Sequence, residues 1–169
     1  MSDSFSIRRL GQGDATAYRE LRLEGLKRHP EAFGAAFEEE AAQPVAAYER
    51  RILMSEVFGG FMGARLMGTA RFSIEPGAKR RHIGVLTGMY VRGTARGTGL
   101  ASGLVEHIVA AARGRVERIN LNVTVGNERA RRLYERHGFR ICGTEPDALR
   151  IDGRSYDEHM MTRLMTAER

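Results

Sequence analysis

One stretch of the chain has the residue types and spacing to grip an anion: Met89-Tyr90-Val91-Arg92-Gly93-Thr94-Ala95-Arg96-Gly97-Thr98-Gly99-Leu100-Ala101. A β-prone run containing Met89, Tyr90 and Val91 leads into a glycine-rich turn, and the turn opens an apolar helical pattern. Glycines in such a turn let backbone N–H groups converge with no Cβ in the way. Amides at a helix start have no intrahelical acceptor, and the helix dipole adds positive potential there. The amides of Gly97, Thr98, Gly99, Leu100, Ala101 and Ser102 would then form a cradle for a phosphate or pyrophosphate. Arg96 would add a charge-assisted contact. The first expected task of the protein is to hold a phosphate-bearing cofactor.

The identity of that cofactor depends on what surrounds the turn. A dinucleotide fingerprint requires a third glycine and an acid at the end of the next strand. Here Ser102 stands at the third position, and the next strand-like run ends in Val125-Gly126-Asn127. A P-loop requires Gly-Lys-Ser/Thr, which does not follow. A second block begins at Leu121 and reads as a strand, an Asn at a helix entrance, a short helix carrying Tyr134, and a Gly138-Phe139 exit.

Together the two blocks closely resemble the GCN5-related N-acetyltransferase (GNAT) superfamily. Arg96, Gly99 and Ala101 match its Arg/Gln-x-x-Gly-x-Gly/Ala cofactor motif. Asn127, Ala130, Leu133, Tyr134, Gly138 and Phe139 match its Asn-x-x-Ala-x-x-Leu-Tyr-x-x-x-Gly-Phe pattern. The resemblance implies an α+β fold: a largely antiparallel twisted sheet of roughly six to seven strands, flanked by helices and splayed at the cofactor-binding strand. It implies acetyl-CoA as cosubstrate and acetyl transfer to a primary amine, with no metal.

The resemblance also distributes roles. Main-chain groups of Met89, Tyr90 and Val91 would pair with the pantetheine amides as another strand would, with Gly88 fitting a bulge there. The competing reading of Gly88 is an ordinary strand glycine. Asn127 suits a helix N-cap and in the family also contacts the cofactor arm. Tyr134 is the catalytic candidate and a cofactor contact, because a phenol with a pKa of about 10 can protonate a nascent thiolate. Its alternative is a core tyrosine.

The general base is not legible. Many relatives carry Glu where this chain has Asn122. The remaining candidates are Glu38, Glu39, Glu40, His82, Asp157, Glu158 and His159, or a water chain. Glu38 or Glu39 with Asp157 or Glu158 would make the acceptor site partly acidic. The acceptor is expected to be a small amine or amino-acid-like molecule. A protein N-terminus or lysine, or a non-catalytic acyl-CoA sensor, are the rival readings. Relatives are often dimers, so a homodimer is compatible with the family.

These residues need elements to hold them. Alternation predicts a first strand near Phe5, and Asp14 is the expected N-cap of a helix interrupted at His29-Pro30. Residues 31–40 read as irregular or weakly helical. Pro44 suits the first turn of a second helix over 45–54. Residues 58–64 and 66–74 read as a hairpin, and 82–91 as the strand that delivers the turn. A helix is expected over 97–113, a strand over 118–125 and a last helix over 127–137. Residues 139–145 and 156–164 read as closing strands around the Asp152-Gly153 turn. Variable loops at 30–43 and 145–156 are expected to build the acceptor pocket.

Composition narrows the classes. The 169 residues suit one domain spanning 1–169, and 42% apolar content suits a packed core. No apolar run approaches the roughly 20 residues of a membrane span. The first residues lack a basic region and an apolar core, so a cytoplasmic location and no membrane partner are expected. Cys142 is the single cysteine, which excludes an internal disulfide, and a packed, inert thiol is expected. The net charge of +6 raises nucleic acid as a partner. No nucleic-acid motif or aromatic-interleaved basic patch accompanies it, so none is expected. Arg129, Arg131, Arg132 and Arg136 crowd one helix, either as a solvated face or to attract an anionic cofactor.

Overall fold

The structure, a computed structural model, describes residues 4–165. Its centre is a seven-stranded sheet in the order β1-β2-β3-β4-β5-β7-β6. The strands are β1 (Phe5–Arg9), β2 (Glu56–Met62), β3 (Arg65–Ile74), β4 (Ile83–Val91), β5 (Arg118–Thr124), β6 (Arg140–Ile151) and β7 (Arg154–Leu164). Every neighbouring pair is antiparallel except β4 and β5. This is the mixed, largely antiparallel α/β architecture that the resemblance implied.

Helices cover both faces. On one face, α1 (Ala15–Arg28), α2 (Phe37–Ala41) and α3 (Val45–Met54) bury Tyr18, Leu21, Leu26, Tyr48 and Ile52 against Val57, Leu66 and Tyr90. On the other, α4 (Leu100–Ala112) and α5 (Glu128–Arg136) close the larger core. Leu100, Leu104, Val105 and Ile108 of α4 are completely buried against the sheet. Alternation along β5 separates the faces: Ile119, Leu121 and Val123 join that core, while Asn120, Asn122 and Thr124 point the other way. Among the described residues, no helix is long and apolar enough to cross a membrane.

Local chemistry corrects several sequence expectations. Asp14 occupies the N-cap of α1 but makes no side-chain cap bond; its carboxylate accepts instead from the Gly11 amide at 2.8 Å and pairs with Arg8. Pro44 is the N-cap of α3, just before the helix. Helix α4 begins at Leu100 rather than at 97, because Gly97 and Gly99 take φ of +80° and +91°, outside the helical region. The 145–156 segment is not a loop. Strands β6 and β7 run on to the Asp152-Gly153 turn, and a wide irregularity between Glu145 and Leu149 absorbs the mismatch. Cys142 is exposed, not packed. It lies where the β6–β7 register slips, on the strand at the sheet's edge.

Candidate functional site

Strands β4 and β5 are paired only at Ile83↔Arg118, Gly84↔Ile119 and Val85↔Asn120. Beyond that they diverge, so the sheet is splayed at β4 as expected. The register against β3 supplies a cause. Thr69 faces Tyr90 but Arg71 faces Thr87, so Gly88 and Met89 together oppose Ala70. This is a β-bulge, and Gly88 carries it with φ of +63°. The buried Thr69 hydroxyl donates to the Gly88 carbonyl at 3.4 Å on the inner side. A Cβ at Gly88 would meet Arg22 Nη1 at 3.7 Å, so a guanidinium stands beside the bulge.

The gap opens into a cavity of about 770 Å³. Met89, Tyr90 and Val91 form one wall and Thr124 and Val125 the other. Arg96, Gly97, Gly99, Leu100, Ala101 and Ser102 line one end, with Asn127 nearby. Thr98 is absent from the lining; its hydroxyl is turned to the Ala95 carbonyl at 2.7 Å, tying the turn together. The first bond from α4 to the turn runs from the Gly103 amide to the Gly99 carbonyl at 3.0 Å. Among the described residues, the amides of Ala101 and Ser102 have no protein acceptor. They sit at a helix start, on a concave wall, beside Arg96 and with Arg129 and Arg136 also on the lining. That donor set fits a di-anionic pyrophosphate. Of the crowded arginines, Arg131 is bound to Glu128 and Glu135 instead.

The side chains around this end are tied to one another. Asn127 Oδ1 accepts from the Ala130 amide at 3.3 Å, which is its capping role. Ser102 Oγ lies 2.6 Å from His137 Nε2, joining the start of α4 to the end of α5. Burial holds His137 below its ordinary pKa, with Arg136 and Arg163 acting the same way. Tyr134 is buried in the core, edge-on to Phe139 at a centroid distance of 5.9 Å. Its neighbour Leu133 lines the cavity and Tyr134 itself does not. Burial raises the phenol pKa above its ordinary value.

The rest of the lining includes His29, Glu31, Phe33, Thr124 and Tyr156. Glu31 and Phe33 fall in the 30–43 segment and Tyr156 in the 145–156 segment expected to build the acceptor pocket; His29 and Thr124 carry no such expectation. Arg96 Nη2 is 3.1 Å from His29 Nε2, and since Arg only donates, the imidazole accepts there. The Thr124 hydroxyl donates to the Glu31 carbonyl, so the 3₁₀ turn Pro30–Ala32 is pinned across the splayed strands. Tyr90 is not a free acid, because its hydroxyl donates to Glu24 at 2.9 Å.

The acidic candidates separate clearly. Glu38 and Glu39 are exposed on α2. Glu40 is buried and accepts from Tyr48 at 2.8 Å and from Arg51 twice at 3.1 Å. His82 precedes β4 at its far end and lines a different cavity. His159 is bonded to Thr144, and Asp157 accepts from the Asp147 amide. Glu158 lies opposite Thr124 in the β5–β7 register and accepts from Asn122 Nδ2 at 3.2 Å. Burial raises its carboxyl pKa and Glu145 adds to the effect, against the Asn122 bond.

Comparison with known proteins agrees with this geometry. Residues 17–139 match the model of the acetyltransferase (GNAT) family. The chain belongs to that family. It is similar to the acetyltransferase of the GNAT family from Streptococcus pneumoniae, with a TM-score of 0.85, 22% identity, and coverage of 96% of this chain and 100% of that one. The Salmonella typhimurium protein yncA, determined with its cofactor acetyl-CoA, gives 0.80 and 19% over 97% and 95%. At these identities the likeness speaks for the fold. The 5-NmdU N-acetyltransferase of Pseudomonas phage PaMx11 is 49% identical over 49 residues, 29% of this chain, and the match spans 34% of the phage protein's length.

Glu158 generates a prediction with two opposed signs. A carboxyl whose folded pKa is raised gives full stability below its unfolded value and loses some as pH rises through the folded value. Glu158→Gln should therefore raise the melting temperature at pH 7 and make no such gain near pH 4. A gain of equal size at both pH values would show that Glu158 is not held against its charge.

Proposed function

We propose that the protein is an acetyl-CoA-dependent N-acetyltransferase acting on the primary amine of a small, amino-acid-like acceptor. The observation that carries this reading is the splay. One cavity joins unpartnered helix-start amides to the opened edge of β4 and continues to the polar end at His29 and Glu31. When bound, acetyl-CoA supplies an activated acetyl thioester. The chain's own tasks follow from its residues. Amides on the lining between Gly97 and Ser102, above all those of Ala101 and Ser102, hold the pyrophosphate with Arg96. Main-chain groups of Met89, Tyr90 and Val91, left without a β5 partner, align the pantetheine arm. Asn127 contacts that arm while capping α5.

Tyr134 completes the reading. A phenol is protonated at neutral pH, as a donor must be, and burial raises its pKa further. Full transfer to a thiolate, whose conjugate acid has a pKa of about 8.5, is uphill from a phenol at or above about 10. Its assigned contribution is therefore a hydrogen bond from Tyr134 Oη to the departing sulfur, which requires the thioester to reach past the cavity lining at Leu133 to the buried hydroxyl. On the acceptor side, Glu31 lines the cavity, and Glu158 stands outside the lining on β7 opposite Thr124; the reading assigns them to meet an ammonium group and take its proton, Glu31 directly and Glu158 through water. The phage match favours a second acceptor class, a 5-NmdU-like amine.

The test of function is free CoA release across a panel of small amines, amino acids, peptides and a 5-NmdU-type acceptor. Acceptor-dependent release is expected. Tight acetyl-CoA binding with no release for any amine would leave a sensor instead of an enzyme.

The cradle is tested by Gly99→Val. A valine there meets a φ of +91° in the turn that lines the cavity, with its Cβ against the Phe5 ring at 3.7 Å, so the amides are displaced and acetyl-CoA affinity should fall about tenfold or more by calorimetry. Gly77→Val is the control, since Gly77 has a φ of +90° in open space away from the cavity. Equal loss of affinity in both variants, or none in a folded Gly99→Val protein, would refute the assignment.

For Tyr134→Phe, ring packing is kept and one donor is lost. The single-turnover rate should fall roughly 10²-fold with acetyl-CoA binding little changed. A variant that keeps more than about half of the wild-type rate would return Tyr134 to a core role, since a donor in the transition state is worth far more.

A further inference from the structure

Beside the Gly88 bulge, on the face covered by α1 to α3, three guanidinium groups cluster around one carboxylate that pairs with only two of them. Glu40 is that carboxylate. It is satisfied by Arg51 through two bonds of 3.1 Å, by the Tyr48 hydroxyl, and by Arg22 at a longer 3.6 Å. Arg71 is the third cation. It donates through Nε to Thr87 Oγ1 at 3.0 Å, and among the described residues no carboxylate lies within ion-pair distance of it. The Arg22 Nε is buried with no acceptor. Burial pushes the Arg71 pKa down, with Arg51 and Arg22 acting the same way, against the opposing pull of Tyr18 and of the more distant Glu40 carboxylate. A half-buried set of this kind is short of negative charge, and uncompensated buried charge is expensive.

The position of the deficit gives it meaning. Arg71 faces Thr87 in the β3–β4 register, and the bulge follows immediately. The Arg22 Nη1 reaches the same point from α1. Its guanidinium also lies over the Phe33 ring, 4.9 Å from the centroid, and Phe33 lines the large cavity. Thr87, Gly88 and Met89 are all partly exposed, so the spot is open to a ligand. On the other side of the splay stand Asn122 and Glu158. The acceptor face is thus basic on its β3–β4 side and acidic on its β5–β7 side.

We propose that Arg22 and Arg71 form an anion subsite that takes the carboxylate of the acceptor, selecting an α-amino-acid-like zwitterion over a simple amine. The inference rests on the acetyltransferase reading for the acceptor's amine, while the subsite itself needs only the carboxylate. Guanidinium and carboxylate pair by two parallel bonds, which would also orient the amine relative to the bulge. Arg51 stays with Glu40 and serves to keep that carboxylate from neutralising Arg71.

Two readouts separate the subsite from the reaction. The first is calorimetric binding of N-acetyl amino acids and their C-terminal amides, with no turnover involved. The free acids should bind about 10- to 100-fold more tightly than the amides, the range for a hydrogen bond to a charged group. Arg71→Gln should abolish that preference by weakening only the acids. Arg22→Gln should do the same to a smaller degree, and it replaces Arg71→Gln if that variant fails to fold. The second readout is CoA release with amino acids and their amides, where KM for the acids should rise in each variant while KM for acetyl-CoA stays constant. Acids and amides bound equally by the wild type, or an unchanged preference in folded variants, would overturn the subsite. Binding preference without any CoA release would uphold the subsite and refute the acetyltransferase reading.

Discussion

Strands β4 and β5 share backbone bonds only over residues 83–85 and then part. Parallel neighbours in a buried sheet normally keep their ladder, because each unpaired amide or carbonyl away from water is costly. Here the ladder is broken by a two-for-one count at Gly88 and Met89, which bends β4 away from β5. The consequences reach both helical layers. α4 starts where β4 ends, so its free amides face the gap; α5 starts where β5 ends, so Asn127 faces it from the other wall. The site is therefore a property of the sheet, and the loops only furnish its ends.

Polar contacts tie α1 and the turn after it to both sides of the gap. Thr124 bonds the Glu31 carbonyl, Arg96 bonds His29, and Glu24 gathers Tyr90 and Arg92 below. Gly25 permits this arrangement: a Cβ there would lie 2.9 Å from Tyr90 Cγ, so only glycine lets α1 settle onto β4. Arg96 belongs to both ends of the cavity at once. It lines the phosphate end and holds the imidazole of the acceptor end, so filling one end alters a contact of the other.

The parts of this site that were legible in the sequence are those fixed by local backbone chemistry. Gly97 and Gly99 mark a turn that opens a helix, although not the residue where it opens, Asn127 announces a cap, and alternation along β5 announces which residues face the core. The bulge at Gly88 came from the family resemblance, since an isolated strand glycine also fits an unbulged strand. What was not legible depends on which segments meet in space. The 30–43 segment is expected at the acceptor pocket, but His29 is not, and the contacts that hold His29 and Glu31 there come from Arg96 and Thr124, residues far away in the chain. Cys142 looked like a core thiol because its neighbours are apolar, but edge position and a register slip expose it. The 145–156 segment looked like a loop because Pro146, Asp147 and Gly153 punctuate it. Pairing with β7 overrode the punctuation by placing Asp147 in the left-handed region and satisfying its amide with Asp157.

Burial of charge is the term that ties the site to the stability of the fold. A chain selected for stability alone would place no carboxylate where desolvation opposes its charge, as at Glu158, and no guanidinium without a carboxylate, as at Arg71. Natural proteins accept such costs where function requires them. Both groups lie on the one sheet face that α1 to α3 cover only in part, on either side of the splay, and their signs are opposite. Neither compensates the other directly, because the gap separates their strands. A ligand carrying an ammonium group and an anionic group could relieve both at once, so the electrostatic cost retained in the free protein becomes binding free energy for an acceptor of complementary charge.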